Sequence, residues 1–126
     1  MKVIHHQIHG LDYHDLCIYL SERVLVESGW EMTDKRWFKD KHLATGDPDI
    51  FATKYSAYNG TNGKRTEVVE RKVVEIESKL TNANKRKKEA QFRDTVTGVE
   101  IIIINLAENK HQDSIMETIK FLEERL

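Results

Sequence analysis

The chain is expected to fold as one α/β domain over residues 1–126, a mixed central sheet of about four to five strands flanked by helices in the order α-β-β-β-α-β-α. Three observations predict it. Two strand-like stretches flank Asn59-Gly60 and Asn62-Gly63, which are strong hairpin turn signals. Val99–Leu106 is a short, almost wholly apolar run rich in isoleucine, the pattern of a fully buried central strand. Stretches near both ends of the chain repeat apolar residues at helical spacing. A hairpin-rich half followed by strand–helix–strand gives a mixed sheet with helices against it.

The elements follow in order. Lys2–Ile8 is a short strand or an ordered arm. Asp12 can cap a first helix over about 12–28, with Leu16, Tyr19, Leu20, Val24 and Cys17 at helical spacing and Gly29 as the stop. Trp30–Phe38 reads as the first strand. Residues 39–48 form a loop punctuated by Gly46 and Pro48. Asp49–Tyr55 is the second strand. The third lies within Arg65–Lys79 and is strongest at Val73–Ser78. Thr81 or Asn82 caps a helix over about 83–95, whose apolar face is thin: Ala83, Ala90, Phe92 and Val96. Thr97-Gly98 turns the chain into the isoleucine strand. Asp113 or Ser114 caps a last helix with Ile115, Ile119, Leu122 and Leu126 on one stripe.

Composition narrows the class. At 126 residues with 39% hydrophobic and 33% charged, the chain is polar for a globular domain, yet far from a disordered composition. One cysteine excludes an intrachain disulfide and fits a reducing compartment. The N-terminus has no long apolar run, so no signal peptide is expected. The longest apolar run, Ile101–Ile104, is too short to span a bilayer. A cytoplasmic protein without membrane association is the expectation. A net charge of -1 does not by itself advertise a nucleic-acid binder, but its distribution is uneven. Between Lys79 and Arg93 stand six basic residues against one acid, Glu89.

The segment Val73-Val74-Glu75-Ile76-Glu77-Ser78-Lys79 is the most informative. On a strand, Glu75, Glu77 and Lys79 share a face. Three ionised groups side by side on a buried strand are costly unless paired or bound to a cation. Two carboxylates and an ammonium suit a divalent metal with a phosphate beside it. Gly46-Asp47-Pro48-Asp49-Ile50 opens the preceding strand. Pro48 lacks an N–H and belongs at a strand start. The hairpin then brings Asp49 within reach of the two glutamates. A salt-bridged solvated face remains the bland alternative for the glutamate run.

Together these elements resemble the PD-(D/E)xK nuclease superfamily. Pro48-Asp49 looks like its first motif and Glu75–Lys79 like its second, over about residues 11–106. The resemblance implies a restriction-endonuclease-like or junction-resolvase-like fold. It implies Mg²⁺- or Mn²⁺-dependent hydrolysis of DNA, with Asp49 and Glu77 or Glu75 as metal ligands and Lys79 orienting water or stabilising charge. Glu77-Ser78-Lys79 fits the acid–any–lysine pattern literally, while Glu75-Ile76-Glu77 fits the apolar context, so both registers stay open. Many family members add an acid from the first helix, and Glu22 is the candidate here. The basic run Lys85, Arg86, Lys87 and Lys88 is a candidate phosphate contact. Lys35 and Arg36, with Trp37 and Phe38, form a second basic–aromatic cluster. A lone domain of this size is expected to act as a homodimer. The alternative is a catalytically altered module that binds nucleic acid without cutting it. His5, His6, His9 and His14 fit no zinc spacing and read as surface or structural residues.

Overall fold

The computed structural model describes residues 12–36, 47–55, 68–93 and 99–126. The expected arm at residues 2–8, Trp37–Phe38, most of the 39–48 loop, the two Asn-Gly turns and the Thr97-Gly98 turn lie outside them. Among the described residues, three helices and four strands follow in the expected order: α1 (Tyr13–Glu27), β1 (Glu31–Met32), β2 (Ile50–Tyr55), β3 (Val68–Glu77), α2 (Asn82–Arg93), β4 (Val99–Asn105) and α3 (Ile115–Arg125). A 3₁₀ turn, Leu106–Glu108, follows β4.

The sheet runs β1-β2-β3-β4, antiparallel between the first three strands and parallel between β3 and β4. A parallel pair needs a crossover, and α2 supplies it. Ile50 pairs with Val74, and Val74 with Ile102. These residues therefore share a face, which continues through Ile76 and Ile104. Tyr13, Leu16, Cys17 and Leu25 of α1 and Phe121 and Leu122 of α3 pack there with Ile50, Ala52, Val74, Ile76 and Ile104 to form the core. Each fully buried Leu or Ile contributes about 1.5–3 kcal/mol.

Local chemistry fixes the helix ends. Asp12 caps α1 by accepting the Asp15 N–H at 2.8 Å. Gly29, at φ +92°, takes the left-handed turn after α1, and Trp30 N–H returns to the Leu25 carbonyl at 3.0 Å. Ser114 caps α3 on the Glu117 N–H. A buried polar cluster ties α1 to α3: Asn109 Nδ2 donates to Tyr13 Oη at 2.7 Å and to Thr118 Oγ1 at 3.1 Å. Burial pushes the neighbouring Cys17 thiol up to about 12. Lys72, though buried on the core side, donates to the Leu126 carbonyl at 2.6 Å and lies 4.5 Å from the Trp30 ring centre.

Four expectations are corrected. The first strand is Glu31–Met32 rather than Trp30–Phe38. The Asp34 carboxylate takes the Arg36 N–H at 2.9 Å, a local turn that competes with the ladder. On α1 the buried positions are Tyr13, Leu16, Cys17, Ser21 and Leu25, while Tyr19 is exposed. Small Cys17 and Ser21 are fully buried and take up the inward face that Tyr19 leaves. The isoleucine strand β4 is not fully buried. It pairs with β3 alone among the described residues, and only Ile104 of its isoleucines is fully buried. The fourth concerns α2, where Ala83 and Ala90 are exposed rather than packed. On α3, Leu122 is buried and Ile115, Ile119 and Leu126 are half-buried, with Phe121 and Thr118 completing the inward face.

Candidate active site

The sheet's second face begins as a smaller apolar layer, with Phe51 opposite Val73 and Val73 opposite Ile101, and then changes character toward the end of β3. Alternation puts Glu75 and Glu77 on this face. One step beyond the Ile50–Val74 pair, the antiparallel register sets Asp49 opposite Glu75. Pro48 is buried at the strand's entrance. Asp49 then continues the ladder with its side chain: Oδ2 accepts the Ile76 N–H at 2.8 Å. That bond fixes the carboxylate to the sheet.

Glu75 is only 3% exposed. Burial, then the charge of Asp49 and a hydrogen bond shared with it, push its carboxyl up to about 8. Burial and the neighbouring carboxylate thus bias Glu75 toward its protonated form. Lys88, reaching down from α2, supplies the cation: its Nζ lies 3.1 Å from Glu77 Oε1 and 3.6 Å from Glu75 Oε2. Partial burial opposes its charge, but the Glu77 hydrogen bond and the carboxylates outweigh that and raise its pKa.

Strand β3 ends at Glu77, so Lys79 does not share the glutamates' face. It lies exposed in the bend that follows. The site's ammonium comes instead from Lys88, which the sequence places only in a basic run. Sequence spacing alone carries no signal for this, because the contact crosses from a helix to a strand. Glu22 is half-buried on α1, which packs against the opposite face of the sheet. It makes no ion pair or hydrogen bond with Asp49, Glu75 or Glu77. Lys85, Arg86 and Lys87 are exposed along α2. Lys35 is half-buried, and Arg36 is engaged by Asp34 at 2.7 Å.

The chain matches no family model, no curated protein and no solved structure. Function therefore rests on the site alone.

The N-terminus of α1 meets the same strand end. His14 Nε2 lies 2.6 Å from the Ile76 carbonyl, which can only accept, so Nε2 carries the proton. The same residue thus binds Asp49 through its N–H and His14 through its carbonyl. Asp12, His14 and Asp15 bring ligand atoms within 4.8 Å of one another, the one such trio among the described residues. Sequence spacing had set His14 aside. Two features weigh against a cation there: Asp12 already serves as the helix cap, and the positive end of a helix dipole repels cations. Asp49, Glu75 and Glu77 do not meet the same distance, since Lys88 lies between the glutamates. Their chemistry still fits a hard divalent ion: three carboxylates, two of them close enough to share a proton, beside a movable ammonium.

Proposed function

We propose that this domain is a metal-dependent nuclease of the PD-(D/E)xK type, with a restriction-endonuclease-like fold, that hydrolyses DNA phosphodiester bonds. The observation that carries this reading is the Asp49–Glu75 pair. Two carboxylates held face to face, one almost fully buried, are costly to a folded protein. A divalent ion held by both carboxylates would offset that cost. Asp49, Glu75 and Glu77 would hold Mg²⁺ or Mn²⁺, which would lower the pKa of a bound water and offset phosphate charge.

Lys88 takes the part that the motif spacing gives to Lys79. It touches both glutamates, so its ammonium stands beside the position a metal-bound phosphate would take. Lys85, Arg86 and Lys87 extend the positive surface along which a DNA backbone would run. A homodimer would give one particle two such sites, enough to cut both strands or a branched junction.

The reading is tested by incubating the protein with nicked, branched and linear DNA in Mg²⁺ or Mn²⁺. Cleavage by the native chain and none by Asp49→Ala, with an unchanged unfolding curve, is the expected result. Equal cleavage by purified Asp49→Ala would overturn it.

One observation favours a second reading, a module that binds nucleic acid without cutting. Lys88 occupies the space between Glu75 and Glu77, a cation already in place. That reading predicts retarded but intact DNA at every Mn²⁺ concentration.

A further inference from the structure

Helix α2 has an unusual underside. A helix lying on a sheet normally turns an apolar i, i+3, i+4, i+7 stripe toward it. On α2 the residues at that spacing which border a pocket beside Glu77 are Asn84, Lys87, Lys88 and Gln91, all polar, with Asn84 and Lys87 exposed at its rim. With Glu77 they line a cavity of about 330 Å³. Lys88 is occupied by the two glutamates. The Lys87 ammonium and the carboxamides of Asn84 and Gln91 have no side-chain partner among the described residues. The pocket between this stripe and Glu77 is therefore lined by polar groups alone.

The lining specifies what fits. An ammonium suits a phosphate oxygen. A carboxamide offers a donor and an acceptor side by side, which matches the edge of a base, and Asn or Gln pairs in this two-bond manner with adenine. One cation flanked by two carboxamides on one stripe, about 10 Å from end to end, matches a phosphate between two bases. We propose that Asn84 and Gln91 read the bases on either side of a phosphate held by Lys87 and favour adenine. The assignment rests on the nuclease reading for its ligand class and adds to it a specificity that Asp49 and the glutamates do not supply.

The test is fluorescence anisotropy with labelled single-stranded oligo(dA), oligo(dC) and oligo(dT) in Ca²⁺, so that binding is measured apart from cleavage. The native chain should bind oligo(dA) about fivefold or more tightly than the other two. Asn84→Leu/Gln91→Leu should bind all three alike while keeping the salt dependence of the native chain. Lys87→Gln should weaken all three equally and reduce the salt slope by about one. All these positions lie on an exposed or half-buried helix face, and an unchanged urea midpoint checks that each variant folds. Equal binding of the three oligomers by the native protein, any other ranking, no binding, or an adenine preference that survives Asn84→Leu/Gln91→Leu would each overturn the proposal. The two readings fail separately. An adenine preference that persists in an Asp49→Ala protein whose cleavage is undiminished leaves base reading standing and removes the metal assignment. Cleavage lost in Asp49→Ala with no base preference does the reverse.

Discussion

Strand β3 sends Val74 and Ile76 to one face of the sheet and Glu75 and Glu77 to the other. The first pair lies under α1 and α3, closed in a continuous apolar core. The second lies under α2, a helix whose facing stripe is polar and whose basic residues mostly point to solvent. The same backbone thus serves two ends. Apolar area holds one face together, and the Lys88 ion pairs link the helix to the other. Stability should concentrate on the first face and ligand response on the second.

Substitutions separate the two. The largest effect belongs to the apolar face: Ile76→Ala should cost about 2–5 kcal/mol in urea denaturation, because it opens a cavity in the closed core. A cost below 1 kcal/mol would mean that this face is loosely packed. On the other face, the Glu75 carboxyl has its pKa raised from 4.5 to about 8. Between those values the folded state binds a proton that the unfolded state has released. The stabilisation is complete below about pH 4.5 and is lost as pH rises through about 8. Glu75→Gln should abolish that fall, so a set of urea midpoints from pH 5 to 9 should be flatter in the variant. An identical slope would place the titration elsewhere.

Lys88→Met removes the cation between the glutamates and should cost about 1 kcal/mol at neutral pH, since the pair is partly solvated. Millimolar Mn²⁺ should recover most of that loss, and calorimetry would show a larger Mn²⁺-induced rise in melting temperature for the variant than for the native chain. No difference would argue that the glutamates do not take the ion. The smallest effect returns to the core. Ser21 Oγ is buried without a hydrogen-bond partner among the described residues. Ser21→Ala should therefore gain about 0.5 kcal/mol in urea denaturation.

The sequence carried this contrast unevenly. Alternation in 73–77 revealed two faces, and Pro48 before Asp49 marked where β2 begins, because both signals are local. The end of β3 was not legible: alternation of charge runs on through Lys79 with no glycine or proline to stop it. Lys88 gave no hint of its partners, since only the return of α2 over the sheet brings it to Glu75. The isoleucine run suggested burial on both sides, but strand order is set by pairing partners that composition does not name. The buried face of α1 was misplaced for a related reason. Cys17 and Ser21 are too small to dominate an apolar pattern, yet both are fully buried. One signal was present and unused: the polar 84, 87, 88, 91 stripe is readable without any structure.

Cys17 has a practical use. It is the chain's only cysteine, fully buried, with its thiol held protonated. Thiol-directed dyes react with thiolates, so the native fold should be nearly silent to them. A single Lys85→Cys substitution on the exposed side of α2 would then be the one labelled position. Its fluorescence would report directly on whether that helix shifts when ions or oligonucleotides are added.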